Sequence, residues 1–586
     1  MPHSQSVPAK LLLLIALLQG LALLLLHKAL ELEFWPHQSP PWLLAFYSVA
    51  AIAPLMLLLG LETGREKPLL RWTAVFALLV FGVGYYTGSQ TIPVHSLQQN
   101  ILPFSFGLTL AVATFKALMY TQHFATGEAF SYSKLFRWSW RNFLTLGLAL
   151  LFTLSFWALL MLWAALFKAI NIDFFHDVFT NKWFLYPALA LAHGFGVIIF
   201  RQQSQIIDTI SRIQQALMKF LLILLVFVSM IFLSALPFSG LQPLWESGGS
   251  SLILWMQALM LFFVNAVYQD DPDSRPYPLI VHRFIYLGIA CLPIYSAISF
   301  YGLSLRIDQY GWTISRAWAV FLWTLLALFS VGYLIGIAKR RDQWLTQLSQ
   351  VNVRMGLVVM ALTLLVNSPL LDFRKLSVHS QIARYESGEI GKDDFDFHYF
   401  RHQLGKPGYL ALQKMKAELK ESDPTIAATI HNLYRGYDEP NKGLTLKEFE
   451  DAINVIEGTL PPRLVAAIYT NFSADTHNPL QQFRMHILPV DLNADAQTDY
   501  LLIQKFAGFE NLTLFYREAE EWKQARVYTA NHHSAERPDL LEAFRRGDYK
   551  AKKPAWNQLQ VGEQLFQVQP LDTELTNGAI ARKLLP

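Results

Sequence analysis

The sequence predicts an α-helical polytopic membrane bundle followed by a soluble α+β domain. Of its 586 residues, 53% are hydrophobic and only 16% are charged, whereas about a quarter of the residues of a soluble domain are charged. Apolar runs of the ~20 residues that a membrane helix needs recur from Leu11 to Val366. After Lys375 such runs almost disappear, so we interpret Asn367 to Asp372 as the exit from the last membrane helix into a soluble domain.

About eleven membrane helices are predicted from these runs. A helical bundle is expected because lipid offers no hydrogen-bond partners to an open backbone. The first run follows Lys10 and lacks a small-residue cleavage site after Leu26, so we interpret it as a retained span. The predicted spans are 11–30, 42–59, 69–87, 101–120, 143–167, 183–200, 218–236, 251–267, 284–303, 317–337 and 356–370.

The distribution of Lys and Arg between the loops predicts the orientation. Basic residues occupy the loops after the second, fourth, sixth, eighth and tenth predicted spans, whereas the loops 88–100 and 237–249 contain none. The positive-inside rule therefore puts the N-terminus in the cytoplasm, and an odd number of spans puts the C-terminal domain outside it. Basic residues in short loops favour contact with a lipid bilayer, and no nucleic-acid partner is expected.

Few ionisable side chains lie within the predicted spans, where such groups usually mark ion or substrate pathways. His193 lies mid-span and serves either packing through a hydrogen bond or ligand binding. Lys116 is close enough to the inner face for its ammonium to reach water. The spans contain no row of carboxylates, which disfavours an ion-driven transporter.

A loop between two late spans combines guanidinium groups with aromatic rings around a Gly311 turn. Together these groups could clamp the phosphate or carboxylate of a head group. The alternative is an interfacial anchor, in which Thr313 or Ser315 caps the next helix and Arg316 contacts lipid phosphate. The candidate ligand-binding residues are Arg306, Tyr310, Trp312 and Arg316, with His193.

Two stretches carry a family resemblance. The first stretch contains Arg306, the run Gln-Tyr-Gly-Trp-Thr and Arg316. The second stretch follows two spans later and reads Asn367-Ser-Pro-Leu-Leu-Asp-Phe-Arg-Lys-Leu-Ser-Val-His-Ser-Gln-Ile-Ala-Arg384. This pattern resembles the bacterial inner-membrane family called domain of unknown function 4153. The resemblance implies a multi-pass inner-membrane protein and supplies no activity or catalytic residues. Together with the orientation predicted from the loops, an inner-membrane location makes the C-terminal domain periplasmic.

The sequence divides into three parts: a membrane domain, 1–370, a helical region, 371–475, and a smaller β-containing region, 476–586. The spacing of apolar residues distinguishes the last two, and both are expected to be extracytoplasmic. Apolar residues at helical spacing alternate with Gly and Pro turns in the first region, and period-2 alternation marks the second. The predicted helices are 378–386, 394–402, 408–419, 424–434, 445–456 and 462–472. The predicted strands are 484–490, 500–504, 512–516 and 524–529.

Between the first two predicted strands lies a candidate calcium loop formed by Asp491, Asn493, Asp495 and Asp499. Their spacing places oxygen ligands around a tight turn, as Ca²⁺ requires. The loop is similar to the calcium loops of integrin-type β-propeller repeats, although Ala494 and Ala496 stand where glycines are usual. The alternative is a hairpin whose Asx side chains bond their own backbone.

The sequence contains no P-loop, His-Glu-x-x-His, Gly-x-Ser-x-Gly or Gly-x-Gly-x-x-Gly motif. We therefore favour a non-enzymatic membrane protein with an extracytoplasmic domain for sensing, binding or envelope organisation. Its expected partners are the bilayer, lipid head groups and envelope proteins. The alternative is an envelope enzyme or flippase that handles a lipid-linked phosphate substrate.

Overall fold

The computed structural model describes residues 8–93, 102–128, 130–246, 249–268, 276–391, 394–434, 446–456, 458–473, 484–492, 497–506, 509–518, 521–527, 540–549, 559–561 and 564–566. The chain divides into two compact units, Met1–Leu412 and Gln413–Pro586. We describe each unit by itself.

The first unit is built from helices. Ten of its described helical stretches are long and apolar enough to cross a membrane, so the chain is a multi-pass membrane protein. Helices α11 and α12 together form one of the ten. The helices are α1 (Ala9–Glu31), α2 (Pro40–Gly60), α3 (Glu66–Ser89), α4 (Leu102–Thr126), α5 (Tyr132–Lys168), α6 (Phe174–Thr180), α7 (Lys182–Gln202), α8 (Ser204–Ser239), α9 (Gln242–Glu246), α10 (Ser250–Val267), α11 (Leu279–Ala290), α12 (Leu292–Tyr310), α13 (Ile314–Arg340), α14 (Leu345–Leu365), α15 (Phe373–Glu386) and α16 (Phe397–Gln403).

Each predicted span overlaps a helix, and the span 284–303 overlaps both α11 and α12. The predicted span 251–267 falls on α10, which is apolar but shorter than the other ten stretches. The predicted number of eleven therefore depends on whether α10 crosses the membrane.

Small residues bring the early helices together. A Cβ on Gly194 of α7 would lie 2.5 Å from the Cβ of Ala16, and one on Gly20 of α1 would lie 2.6 Å from the Cβ of Ala190. In lipid, where apolar side chains gain little from leaving the solvent, such close approach is the main source of helix association. The small residues therefore determine where α1 and α7 touch.

Arg201, in the last turn of α7, connects that helix to α2. Its guanidinium donates hydrogen bonds to the carbonyls of Leu58 and Leu61, where α2 ends. A cation at a helix C-terminus satisfies carbonyls that have no partner within the helix. One of the basic residues that predict the orientation thus also caps a helix.

The second unit contains a five-stranded sheet in the order β1-β2-β3-β4-β5 and a separate two-stranded sheet of β6 and β7. In the large sheet β1 is parallel to β2, and every other pair is antiparallel. The strands are β1 (Ile453–Val455), β2 (Arg484–Val490), β3 (Asp499–Phe506), β4 (Phe509–Glu518), β5 (Glu521–Val527), β6 (Leu559–Val561) and β7 (Gln564–Phe566). Helix α17 (Gly405–Glu418) is followed by α18 (Pro424–Tyr434), α19 (Leu446–Ala452), α20 (Pro462–Ser473) and α21 (Leu540–Arg546).

Both faces of the large sheet are covered. On one face Leu502 packs with Phe449 of α19 and Ile468 of α20. On the other, Ile503 lies in a cluster that includes Phe544 of α21. Successive strand residues point to opposite faces, so β3 contributes to both clusters.

Among the helices predicted after residue 370, two differ most from the structure in their bounds. The helix predicted over 445–456 ends at Ala452, and the next three residues form β1, with Ile453 opposite Met485. The branched side chains of Ile453 and Val455 favour an extended backbone, and β2 offers them an edge to pair with. Helix α15 begins at Phe373 rather than at 378, because the Asp372 carboxylate caps it by accepting a hydrogen bond from the Arg374 backbone.

Candidate functional site at the α12–α13 turn

The turn between α12 and α13 is tight. Helix α12 ends at Tyr310, and Gly311 follows with φ +69° and ψ −177°, a conformation that essentially only glycine adopts. Helix α13 begins at Ile314, and the Thr313 hydroxyl accepts a hydrogen bond from the backbone of Arg316. Of the two caps that the sequence offered, Thr313 and Ser315, the structure has Thr313.

Arg316 closes the turn from within. Its guanidinium donates to the carbonyl oxygens of Gly311, at 2.8 Å, and Tyr310, at 3.3 Å. It also lies 5.2 Å from the centre of the Tyr310 ring. Arg306 is exposed, and Tyr310 exposes 60% of its surface. The two arginines proposed as a clamp thus lie in different surroundings.

Helix α15 binds the backbone of this turn through its side chains. The Ser380 hydroxyl accepts a hydrogen bond of 2.9 Å from the Trp312 backbone. The Gln381 amide donates to the carbonyls of Tyr310 and Trp312, at 3.0 and 2.9 Å. Further along, the Arg384 guanidinium donates to the two carbonyls at the end of α12 that precede Tyr310. The turn is therefore held by contacts that do not depend on its own side chains.

Helix α16 adds one more contact to the same turn. The Tyr399 hydroxyl accepts a hydrogen bond of 2.8 Å from the backbone of Ile314 and lies 3.0 Å from the Ser377 hydroxyl. Burial raises the pKa of Tyr399, so this hydroxyl stays neutral at physiological pH.

A buried ion pair fixes the start of α15. Arg374 donates two hydrogen bonds of 2.8 Å to the Asp372 carboxylate, and their side chains are only 9% and 2% exposed. Tyr86 of α3 donates a third, of 2.7 Å, to Asp372 Oδ2. Burial alone raises the pKa of Asp372, but the Arg374 guanidinium and the Tyr86 hydroxyl outweigh it, so the pKa lies below its ordinary value.

We call this set of contacts the exit cluster. It joins α3, the α12–α13 turn, α15 and α16 at the point where the chain leaves the last apolar helix. Its members are Tyr86, Tyr310, Gly311, Trp312, Arg316, Asp372, Arg374, Ser377, Ser380, Gln381, Arg384 and Tyr399.

Three of the five candidate ligand-binding residues belong to the exit cluster, whereas Arg306 and His193 do not. Tyr310 and Trp312 contribute backbone groups, and the Trp312 ring packs near Ala317, Val366 and Phe373. His193, on α7, lies with Nδ1 3.5 Å from the Thr153 hydroxyl of α5. Both the packing role and the binding role of His193 stay predictions.

The candidate calcium loop is described only at its ends. Asn493 and Asp495 lie outside the described residues. Asp491 is exposed after β2, whereas Asp499 is 1% exposed and opens β3 opposite Val490. Among the described residues no group of three or more His, Cys, Asp or Glu side chains is arranged to hold a metal. The calcium site stays a prediction.

A cavity of about 370 Å³ lies within the helical bundle. It is lined by residues of α4, α5, α8, α10, α13 and α14, among them Lys116. The sequence suggested that the Lys116 ammonium reaches toward water at the inner face. In the structure Lys116 lines this cavity.

Sequence reasoning missed most of the side chains that form the exit cluster. Ser377, Gln381 and Arg384, which all bond backbone carbonyls of the turn or of the end of α12, follow one another at intervals of four and three residues. This is the spacing of one helix face and was a readable signal. Asp372 was recognised only as part of the membrane exit. Nothing in the sequence indicated that Tyr86 meets it, because 286 residues separate the two.

These features define a multi-pass helical membrane protein with a folded region after its last apolar helix. The family model described as Domain of unknown function (DUF4153) matches residues 12–415, and the chain belongs to this family. The resemblance predicted from the sequence is thereby confirmed, and the two stretches that carried it are the two that bind each other in the exit cluster. No curated protein and no solved structure matches the chain.

Proposed function

We propose that this is a non-enzymatic membrane protein of the bacterial inner membrane that carries a periplasmic α+β region for sensing, binding or envelope organisation. The observation that supports it best is the exit cluster. Side chains of α15 and α16 bind backbone groups of the α12–α13 turn, so the chain leaves the bundle in one fixed geometry. A rigid exit suits a protein that must hold or read a partner beyond the membrane.

The proposed sidedness requires α10 to be the eleventh span. Gln214, near the start of α8, and Asn265, near the end of α10, line the same cavity. The start of α10 follows the end of α8 after the short segment 240–249. Helix α10 therefore runs back along α8, and its 18 residues measure about 27 Å at 1.5 Å per residue, close to the ~30 Å hydrocarbon core.

Cysteine labelling tests the sidedness. Cys291 is the only cysteine of the chain, so it is replaced by Ser, and single cysteines are introduced at Glu128, Asp173 and Lys447. We expect a membrane-impermeant maleimide to label Asp173→Cys and Lys447→Cys in intact cells, and Glu128→Cys only after permeabilisation. If Lys447→Cys, like Glu128→Cys, were labelled only after permeabilisation, α10 would not cross the membrane and the C-terminal region would be cytoplasmic.

Photo-crosslinking tests the binding role. A photoreactive amino acid is placed at Leu492, beside the candidate calcium loop, or at Leu446 as a control that is similarly exposed, at 45% and 43%. We expect a discrete adduct in intact membranes from Leu492 that is lost in Asp495→Asn. The same adducts from both positions, or none from either, would contradict a specific binding role.

The alternative is an envelope enzyme or flippase with a head-group clamp at Arg306 and Arg316. We rank it second because the Arg316 guanidinium already donates hydrogen bonds to two backbone carbonyls, which compete with a head group for its N–H donors. In vesicles containing a fluorescent polyprenyl phosphate, we expect no protein-dependent transfer or hydrolysis. Turnover that falls in Arg306→Gln, with the unfolding temperature of the variant unchanged, would favour the alternative.

A further inference from the structure

The bundle cavity has one cationic side chain and a fixed polar wall. Tyr132 and Tyr333 each donate a hydrogen bond to Asn265 Oδ1, at 3.2 and 3.0 Å. Asn352 donates to the same oxygen, and Asn265 itself donates to the Leu261 carbonyl at 2.8 Å. The wall thus joins α5, α10, α13 and α14 into one arrangement that exists before any ligand binds.

Lys116 brings a positive charge to this cavity without a carboxylate beside it. None of the described lining residues is Asp or Glu, and among the described contacts of the chain Lys116 forms no hydrogen bond or ion pair. Of the helices that line the cavity, only α8 contains an acidic residue, Asp208, whose side chain is exposed. An ammonium in an apolar layer is costly unless an anion accompanies it.

Along the predicted spans, the cavity lies toward one surface of the membrane. Its α5 residues, Tyr132 to Phe143, precede or begin the predicted span 143–167. Gln214 and Asn352 likewise come just before the spans predicted to begin at 218 and 356. These positions belong to the membrane face that the basic loops predict to be cytoplasmic, where anionic lipids concentrate.

The rest of the lining is mainly aromatic and opens toward the bilayer. Phe115, Phe136 and Phe329 contribute apolar walls. Phe143 and Phe262 also line the cavity and are 55% and 52% exposed, which puts them at its mouth on the surface of the bundle. A volume of about 370 Å³ falls in the range of small-molecule sites, roughly 300–1,000 Å³.

We propose that this cavity is a binding site for one anionic membrane lipid, whose negatively charged head group lies against Lys116 and whose acyl chain leaves past Phe143 and Phe262. The lysine ammonium is a point charge suited to a phosphate or carboxylate. Asn265 and Asn352 each use one amide hydrogen within the wall, so their second amide hydrogens can complete the hydrogen bonds of the head group. This site does not depend on the proposed sensing role, since a lipid can bind there whatever the C-terminal region does.

Native mass spectrometry of the full-length protein measures the binding. Phosphatidylglycerol and phosphatidylcholine with identical acyl chains are titrated onto delipidated protein. We expect a single phosphatidylglycerol adduct, weaker phosphatidylcholine binding and no competition from inorganic phosphate. Equal binding of both lipids would overturn the proposal, and so would full competition by free phosphate.

Variants locate the site. Lys116→Met keeps the aliphatic length and removes the charge, and we expect it to raise the dissociation constant of phosphatidylglycerol about tenfold, with Lys116→Arg near wild type. Lys219→Met is the matched control, because Lys219 is a partly buried lysine of α8 that does not line the cavity. Ser139→Phe, which fills the cavity, should weaken binding of the lipid independently of charge.

Folding is checked by thermal unfolding and gel filtration of each variant. Lys116→Met removes an unpaired charge, so its unfolding temperature should equal or exceed that of the wild type. Unchanged lipid binding in a folded Lys116→Met, or an equal loss in Lys219→Met, would overturn the assignment.

Discussion

Tyr86 of α3 donates a hydrogen bond of 2.7 Å to the carboxylate of Asp372, the residue that caps α15. Asp372 also holds the Arg374 guanidinium in a buried ion pair. One carboxylate thus ends the membrane part of the chain, starts the next helix and ties both to an early span. The exit cluster should depend on Asp372 more than on any exposed acidic residue.

Replacement of Asp372 by Asn should destabilise the first unit by about 3 kcal/mol, because loss of one partner leaves a buried guanidinium unpaired. Tyr86→Phe removes a single hydrogen bond and should cost about 1 kcal/mol. Thermal unfolding of the detergent-purified protein measures both. Asp173→Asn is the control, since Asp173 is exposed and its side chain caps no helix. Equal effects of Asp372→Asn and Asp173→Asn would show that the ion pair contributes nothing.

Replacement of Gly311 by Ala should loosen α15 from the turn. A Cβ there would lie 2.6 Å from Arg384 Cδ and 2.9 Å from both Gln381 Nε2 and Ser380 Oγ. Gly240 is a matched control with φ +73° and ψ 179°, and no atom lies within 4 Å of its Cβ position. Both variants strain the backbone, but only Gly311→Ala also displaces α15. Hydrogen exchange of residues 373–386 should rise in Gly311→Ala and stay at the wild-type level in Gly240→Ala; a rise in both would attribute it to strain alone.

The sequence predicted the membrane helices well because their signal is strong. Each predicted span falls on a helix, since a run of apolar residues long enough to cross a membrane has few other solutions. The exit cluster could be predicted only in part. Gly311, Thr313 and the Arg306–Arg316 pattern were visible as a turn, but the partners of that turn lie on α15 and α16, and side-chain to backbone bonds leave no compositional trace.

Acidification should destabilise the first unit between about pH 6.5 and pH 4. Burial, followed by the Arg401 and His398 charges, lowers the pKa of His402 to about 4, whereas an unfolded His titrates near 6.5. Because the folded pKa is the lower one, stability is full above the unfolded pKa and is lost as the pH falls toward the folded one. His402→Gln should flatten the unfolding temperature over this range, and His379→Gln, at an exposed position of α15, should not. A parallel loss in both variants would exclude His402 as the origin.

Below about pH 4 a second loss should follow. The pKa of Asp372 is held below its ordinary value by Arg374 and Tyr86 against the effect of burial. Its contribution is therefore present above the unfolded pKa of about 3.9 and disappears as the pH falls through the folded value. In Asp372→Asn the unfolding temperature should change less below pH 4 than in the wild type. If the unfolding temperature fell equally below pH 4 in the two proteins, the loss of stability would come from other carboxylates.

Calcium should stabilise the second unit if the loop from Asp491 to Asp499 binds it. At a concentration a hundred times the dissociation constant, the gain would be about 2.7 kcal/mol. Thermal unfolding of the full-length protein with calcium and with chelator measures the gain, which Asp495→Asn should remove. Asp548→Asn, at an exposed position near the end of α21, is the control. An unfolding temperature unaffected by calcium would favour the hairpin alternative.

The second unit shows where local sequence signals stop being sufficient. The bounds of β2 match the prediction, and β3 and β4 extend the predicted strands, because their alternation of apolar residues is clear. Ile453–Val455 was predicted as helix, since a preceding helical pattern ran into it. Its strand conformation depends on pairing with β2, which begins at Arg484. Such a distant partner is invisible to periodicity.

The exit cluster also sets an order of events during biosynthesis. Trp312 leaves the ribosome 68 residues before Ser380, to which its backbone donates. At 5–20 residues per second, translation needs roughly 3–14 s to bridge that interval. During this time the Trp312 backbone lacks its partner on α15, and α14 must insert before α15 can arrive. A nascent chain that stops before α15 would therefore present an unfinished end, which membrane quality-control proteases could recognise.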